Sequence, residues 1–333
     1  MSIVTSAVKW GVLGASGHFR KKVSLPAHEA DGVELCAIAS REEAAARRTA
    51  EELGIPRHYG SYEALLADEE VEAVYIPLPN HLHLEWVKKA AEAGKHILCE
   101  KPLGLDAGEV EEAITHCRKR GVLLMEAFMY RFHPQWQYAR DLIRTGNIGT
   151  LNAVQATFFY NNTDPANIRN IYDAGGGGLY DIGCYAVSAA RYLTGREPER
   201  VVSLIARHPE WRIDMLSSAV LDFGGPQATF TVGTQTFAHQ HVTALGSGGV
   251  VTIEIPFNTY PDVRVGVQVT DSIGTRRVTF DPFDHYRGEL EAFSRAIRDG
   301  AENAPTPPQD ALDNQRVLDA LFASEKSGGW EAV

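Results

Sequence analysis

Three groups of residues in this chain could do chemistry by their types and spacing. The first is a glycine-rich turn, Gly11-Val12-Leu13-Gly14-Ala15-Ser16-Gly17-His18-Phe19, directly after an apolar run. Glycine lets a backbone turn tightly and come close to a pyrophosphate, and the free N–H groups of a following helix receive the anion. The alternative is a plain strand-to-helix turn, since a G-x-G-x-x-G frame from Gly14 meets Ser16 and Phe19 where glycines belong. Its place at the start of a β-α-β unit favours a dinucleotide. The second group is Ser40-Arg41, at the end of the next apolar run. NAD sites place Asp or Glu there for the ribose hydroxyls. A hydroxyl followed by a guanidinium suits a 2′-phosphate, so NADP is favoured over NAD; otherwise Arg41 stacks on adenine or lies in solvent. The third group is Lys101, Asp181 and Tyr185. Asp181 and Tyr185 are four apart on a predicted helix and share one face. A tyrosine with a pKa of about 10 is a poor base at neutral pH. A neighbouring ammonium stabilises phenolate, and Lys101 is the candidate. Taken singly, a surface lysine and a core aromatic explain these residues better; it is their joint presence in matching motifs that favours chemistry.

The elements that must position these groups follow from hydrophobic patterning. Residues 8–13, 33–39, 73–78, 96–99 and 122–126 read as strands. Residues 42–53, 82–93 and 107–120 read as helices, stopped at Gly54, Gly94 and Gly121. Strands alternating with helices predict an α/β, doubly wound parallel sheet, that is, an N-terminal Rossmann domain over residues 1–127. From about Gly146 the texture changes to strand-like runs at 152–160, 201–206, 217–223, 228–236, 241–244, 250–255, 263–269 and 276–280, with a helix at 179–193. These predict a C-terminal α+β domain, residues 128–333, on a large, mostly antiparallel open sheet, with closing helices within about 285–325. A helix at 135–144 bridges into it.

Three further segments complete a pattern: Glu100-Lys101-Pro102, Met125-Glu126-Ala127-Phe128-Met129-Tyr130-Arg131-Phe132-His133-Pro134, and Gly175-Gly176-Gly177-Gly178-Leu179-Tyr180-Asp181-Ile182-Gly183-Cys184-Tyr185. With the N-terminal turn, the chain resembles the Gfo/Idh/MocA oxidoreductases along essentially its whole length, to Ser327-Gly328-Gly329-Trp330. The D-x-G-x-Y ending is similar to the subgroup of dimeric dihydrodiol dehydrogenases, NADP-dependent D-xylose dehydrogenases and glucose–fructose oxidoreductase. The inositol dehydrogenase branch carries histidine where this chain has Tyr185. The resemblance implies reversible hydride transfer between NADP and a CH–OH carbon of a sugar-like substrate. Oxidation of an aldose at C1 comes first, and a trans-dihydrodiol or a deoxysugar ketone next. It implies Tyr185 as general acid/base, Lys101 as its tuner and a ligand of the substrate oxygen, and Asp181 as the group orienting the pair. It implies a cis bond before Pro102, and a site in the cleft between the domains. Gly11, Gly14, Ser16, Gly17, His18, Phe19, Ser40, Arg41, Leu78, Pro79, Asn80, His83, Glu100, Lys101 and Arg131 would surround the cofactor. Tyr160 and Arg169 would join Lys101, Asp181 and Tyr185 around the substrate, with Phe159 and Asn170 as further pocket walls. Each of those walls reads equally well as structural.

Other readings compete at single positions. Asn80 suits a helix cap. His81 and His83 form an H-x-H, but no partner ligands follow at metal-site spacing, so no metal is expected. His239 and His241 share one strand face, which reads as solvated. The same fold also serves non-catalytic dinucleotide sensors, which need neither Lys101 nor Tyr185, and oxidoreductases that hold NADP permanently and shuttle hydride between two sugars. A net charge of −11 argues against nucleic acid and anionic membranes. No apolar run is long enough to span a bilayer, and residues 1–10 carry no export-signal pattern. Cys36, Cys99, Cys117 and Cys184 are scattered, which suits reduced thiols in a cytoplasmic protein. The open sheet of the second domain invites a homodimer or homotetramer.

Overall fold

A computed structural model describes residues 6–333; half of the segment read for an export signal lies outside them. The chain divides into two compact units. The first comprises residues up to Met129 together with Tyr286–Leu312, and the second comprises Tyr130–His285 with Asp313–Val333.

In the first unit, β1 (Val8–Leu13), β2 (Val33–Ala39), β3 (Arg57–Tyr59), β4 (Ala73–Ile76), β5 (His96–Glu100) and β6 (Leu124–Ala127) form one parallel sheet in the order β3-β2-β1-β4-β5-β6. That is the Rossmann order, whose direction reverses beside β1. These strands are nearly continuous apolar runs because helices cover both faces. The helices are α1 (Ser24–Glu29), α2 (Glu43–Leu53), α3 (Tyr62–Leu66), α4 (His83–Glu92) and α5 (Ala107–Arg120). Ser61 caps α3 and Asp106 caps α5 through their side-chain oxygens. β3, α1 and α3 are too short to have shown a period in the sequence, and the strand expected to reach residue 78 ends at Ile76.

The second unit contains α6 (Pro134–Arg144), β7 (Leu151–Asn161), α7 (Cys184–Thr194), β8 (Arg200–Arg207), β9 (Asp214–Asp222), β10 (Gln227–Gly233), β11 (Gln235–Gly246), β12 (Gly249–Ile253), β13 (Val265–Asp271) and β14 (Gly274–Phe280). Two helices, α8 (His285–Arg298) and α9 (Pro308–Ser327), and a short β15 (Glu331–Ala332) complete the chain. The nine strands run β14-β13-β12-β11-β7-β10-β9-β8-β15, all antiparallel except the β7–β10 pair. The run expected as one strand at 228–236 is two, broken at Thr234, where the chain leaves β10 to begin β11. On one face Ala156, Phe158, Phe230, Val232, Val242 and Ala244 are buried. On the other, Gln155, Thr157, Thr229, Thr231 and His241 stay largely outside the core, while Thr243 is buried.

One domain expectation changes. Residues 286–312, which the sequence assigned to the second domain, belong to the first unit. The cause is α8. Phe293 packs on Trp10 with ring centroids 5.7 Å apart, and the Trp10 indole N–H donates to Ser294 Oγ at 3.0 Å. Arg298 closes a fork on Glu72, with both nitrogens 2.7 Å from its carboxylate oxygens. Ala311 and Leu312 join the same core as Val87 and Ile97.

Candidate active site

In the first unit the turn after β1 is fixed by backbone geometry. Gly14 has φ +125°, open to glycine and strained for other residues. Its N–H donates to the Ala39 carbonyl at 3.0 Å, and a side chain there would press Leu78 at 3.0 Å. Ser16 Oγ accepts from the Phe19 N–H at 3.1 Å. A methyl group added to Gly17 would meet nothing within 4 Å, and Ala15, Ser16 and His18 are only half-buried. The backbone of residues 15–18 is therefore open to an anion, as a pyrophosphate requires.

Two expected members of this turn do other work. Gly11 lies inside β1, where a side chain would stand 2.6 Å from Leu65 Cδ2, so its bareness serves the packing of α3. Phe19 is buried beneath the turn, 6.2 Å from the Tyr75 ring, and anchors it. At the end of β2, Arg41 is exposed and lies beside the Tyr62 hydroxyl. Burial raises the pKa of that hydroxyl, and Arg41 pulls the other way. Ser40 Oγ accepts from the Glu42 N–H at 3.4 Å.

At the end of β5, Glu100 Oε1 accepts from the Tyr75 hydroxyl at 2.6 Å, with His18 Nε2 3.3 Å away. Burial alone would raise its pKa. His18, Lys101 and Tyr75 outweigh burial and hold the carboxyl at about 2. Glu100 is thus a fixed anion at the end of β5, beside His18 of the turn after β1 and next in the chain to Lys101. The Lys101–Pro102 bond is cis, as the resemblance implied.

His83, expected near the cofactor, is fully enclosed. Its Nδ1 lies 2.7 Å from the Pro102 carbonyl and its Nε2 2.9 Å from the Leu78 carbonyl. Burial lowers its pKa against the pull of those two carbonyls. The ring is a strut between the loops after β4 and β5, while Pro79 and Asn80 begin the helical turn above it. Among the described residues no group of three His, Cys, Asp or Glu side chains could hold a metal.

Glu289 on α8 escaped the sequence reading. It is 2% exposed, its Oε1 has no hydrogen-bond partner, and burial followed by repulsion from Glu100 pushes its pKa well above the carboxylate range. A charged residue opening an amphipathic helix reads as surface. Only the return of α8 to the first unit buries it.

In the second unit, Asp181 and Tyr185 straddle a change of helix type. Residues Leu179–Gly183 form a π-turn, and α7 starts at Cys184, so the helix expected at 179–193 is regular only in its later part. Asp181 Oδ2 accepts from the Tyr160 hydroxyl at 2.6 Å and from Arg169 Nε at 3.0 Å. Tyr160 and Arg169, expected as substrate contacts, are thus joined to Asp181. Burial, then Asp181, raises the Tyr160 pKa far above 10. The Tyr185 ring packs among Phe257, Tyr130 and Phe158, with centroids 5.3, 5.8 and 5.8 Å away. Arg131 donates to Ser188 Oγ at 2.6 Å, and the Tyr130 hydroxyl meets the same oxygen at 2.7 Å. Phe159 and Asn170 lie near these groups in sequence, and Asn170 is buried, donating to the Asp164 carbonyl at 2.8 Å.

The glycine run before the π-turn is filled by the protein itself. A methyl group at Gly176 would stand 2.5 Å from the Arg169 carbonyl, and one at Gly177 (φ +130°) would overlap Asp214 Oδ1. Asp214, which no sequence motif marks, is 1% exposed and accepts from the Leu179 N–H at 2.5 Å.

The first unit's strand order, its open turn and the exposed Arg41 define a dinucleotide-binding Rossmann domain. Comparison with known proteins completes the assignment. Residues 8–128 match the model of the Gfo/Idh/MocA oxidoreductase family, NAD-binding Rossmann fold, and residues 136–252 match the Gfo/Idh/MocA C-terminal domain. The chain belongs to this family. It is 44% identical to an uncharacterised oxidoreductase of Rhizobium meliloti, over 98% of this chain and 99% of that one. It is 40% identical to a D-xylose 1-dehydrogenase (NADP+) of Haloferax volcanii, over 96% of this chain and 98% of that one. A crystal structure of a 3-ketoreductase from Actinomadura kijaniata, in complex with NADP and TDP-benzene, superposes with a TM-score of 0.90 at 30% identity, over 96% of this chain and 98% of that one.

Proposed function

We propose that this chain is an NADP-dependent oxidoreductase moving a hydride between the nicotinamide and a CH–OH carbon of a sugar-like substrate, with an aldose oxidised at C1 as the first choice. The observation carrying this reading is the 40% identity to the D-xylose dehydrogenase along nearly the whole of both chains. The residues fit the cofactor. Residues 15–18 offer open backbone to the pyrophosphate, and Ser40 and the exposed Arg41 suit a 2′-phosphate where NAD sites carry an acid. When bound, NADP supplies the hydride acceptor.

The chain's own residues do the rest. Tyr185 takes the hydroxyl proton from the reacting carbon and returns it in the reverse direction. Lys101 binds the same substrate oxygen, and its positive charge favours the phenolate of Tyr185. Asp181 holds Tyr160 and Arg169 in place for the sugar's remaining hydroxyls. His18 and Glu100 fix the phosphate turn to the Lys101 strand.

Two coarser expectations extend the proposal. Two or four chains associate through the half-open Thr and Gln face of the nine-stranded sheet, where Thr231 pairs with Thr157 and Thr243 with Gln155. All four cysteines are free and buried, which suits a cytoplasmic enzyme. Among the described residues no helix is long and apolar enough to cross a membrane.

The test is a screen of aldoses, sugar alcohols and trans-dihydrodiols with NADP and with NAD, read as reduced-cofactor absorbance. D-Xylose or D-glucose with NADP is expected to react fastest. Tight NADPH binding with no turnover of any compound in the panel would overturn the enzymatic reading.

A further inference from the structure

The second unit holds a buried carboxylate that the mechanism above does not use. Asp214 begins β9, opposite Arg207 of β8 in the antiparallel ladder. Its Oδ2 accepts the Leu179 N–H at 2.5 Å and the Ser217 hydroxyl at 3.3 Å. Its Oδ1 fills the space that a side chain at Gly177 would occupy, and a methyl group at Gly178 would stand 3.2 Å from its Oδ2. Leu179 opens the π-turn that carries Asp181 and leads into Tyr185 at the start of α7. A burial-dominated environment with so few donors is costly for a charge, so retaining a carboxylate here needs a reason that shape alone does not supply.

We propose that Asp214 is a positioning residue for the hydride-transfer site. Its carboxylate grips the first amide of the π-turn and sets the angle at which Asp181 and Tyr185 are presented. The inference rests on the oxidoreductase reading for its catalytic consequence, but the grip itself is independent of that reading. The glycines at 177 and 178 are the counterpart of this grip, since only bare backbone lets the carboxylate reach Leu179.

The grip depends on charge. An N–H bonds more strongly to an ionised oxygen than to a neutral one. Burial pushes the Asp214 pKa up to about 7, against the Leu179 amide, Arg207 and Ser217, which favour the anion. Tyr160, whose hydroxyl bonds Asp181, also feels its charge: after burial and Asp181, Asp214 raises the pKa of that phenol. Arg207 is itself held by Glu325 through two bonds of 2.6 Å. Ionised Asp214 therefore dominates above about pH 7 and the neutral acid below it. The turn is held tightly on the alkaline side and loosened on the acid side.

The experiment compares wild type, Asp214→Asn and Ser217→Ala. Amide hydrogen exchange at Leu179–Gly183 is measured in cofactor-free protein across this pH range, corrected for intrinsic exchange. Protection is expected to rise through about pH 7 in wild type and to be flat with pH in Asp214→Asn. Ser217→Ala removes one donor to the anion, so its midpoint moves up by about half a pH unit. With NADP and D-xylose, Asp214→Asn loses about tenfold in kcat, because a misplaced base is a slow one. Its NADPH affinity stays within about twofold, since the cofactor turn is in the other unit. An exchange profile in Asp214→Asn that keeps the wild-type pH dependence overturns the proposal, as does an unmoved midpoint in Ser217→Ala. Should Asp214→Asn fail to fold, Ser217→Ala decides alone. Absence of sugar turnover by wild type defeats the oxidoreductase reading and leaves the exchange result to judge the grip.

Discussion

The two glycine-rich stretches look alike in sequence and serve opposite ends. Around Gly17 the backbone is bare toward the outside: Gly17 is exposed and the space above it is empty, while the buried Gly14 before it makes the turn and leaves no room for a side chain beside Leu78. Around Gly176 and Gly177 the backbone is bare toward the inside, where the carbonyls of Arg169 and Ile171 and the carboxylate of Asp214 occupy the space. The first arrangement keeps room for a ligand. The second uses the same freedom to pack the protein against itself and to aim a helix. A glycine motif therefore signals close approach, and only the neighbours reveal what approaches.

Several substitutions would break or sharpen that contrast. The largest effect is expected where the aimed helix meets chemistry. Tyr185→Phe should lower kcat roughly a thousandfold, leaving NADPH affinity unchanged by fluorescence titration; near-normal turnover would detach the second stretch from catalysis. Next is Gly177→Ala, which combines a disfavoured φ with overlap onto Asp214, and should cost about 3 kcal/mol of unfolding free energy by denaturant titration. Arg41→Ala tests the ligand side. It should weaken NADP about tenfold to a hundredfold by calorimetry and leave NAD nearly unaffected. Gly17→Ala should change stability by no more than about 1 kcal/mol, yet weaken NADPH binding, because its methyl group enters the space kept for the phosphates. Equal stability losses at Gly17 and Gly177 would erase the distinction.

The smallest effect concerns Glu289. Its folded pKa lies well above its unfolded one, so its contribution to stability is complete below the unfolded pKa. As pH rises above that value, the unfolded chain ionises while the folded chain resists, and stability is lost until the folded pKa is passed. Glu289→Gln cannot ionise, so its Tm relative to wild type should climb as the pH rises above the unfolded carboxylate's pKa of about 4. A constant difference would mean that the carboxyl is already charged in the fold.

Much of this molecule was legible in its residues. The parallel strands at Val8–Leu13 and Val33–Ala39 and the helix at Ala107–Arg120 fall where the apolar pattern puts them, because strands covered on both faces are apolar throughout and Gly121 marks the helix end. The Lys101-Pro102 pair, whose cis bond the resemblance implied, and the spacing of Asp181 and Tyr185 along the chain were visible as motifs. What escaped was set by residues distant in sequence. Glu289 and Asp214 are buried only because α8 returns to β1 and because β9 runs beneath a turn 35 residues earlier. The tasks of Gly11, Phe19 and His83 changed for the same reason: Leu65, Tyr75 and the Pro102 carbonyl reach them from other elements.

The sequence by itself determined the order of strands and helices, the chemistry available at each loop, and the family, since these depend on local pattern and on residues near one another along the chain. Tertiary structure alone decided which glycines face open space and which face the protein, and which carboxyls keep their charge. Those outcomes depend on what fills the space around a group and how much water remains beside it, and neither is written in its immediate neighbours.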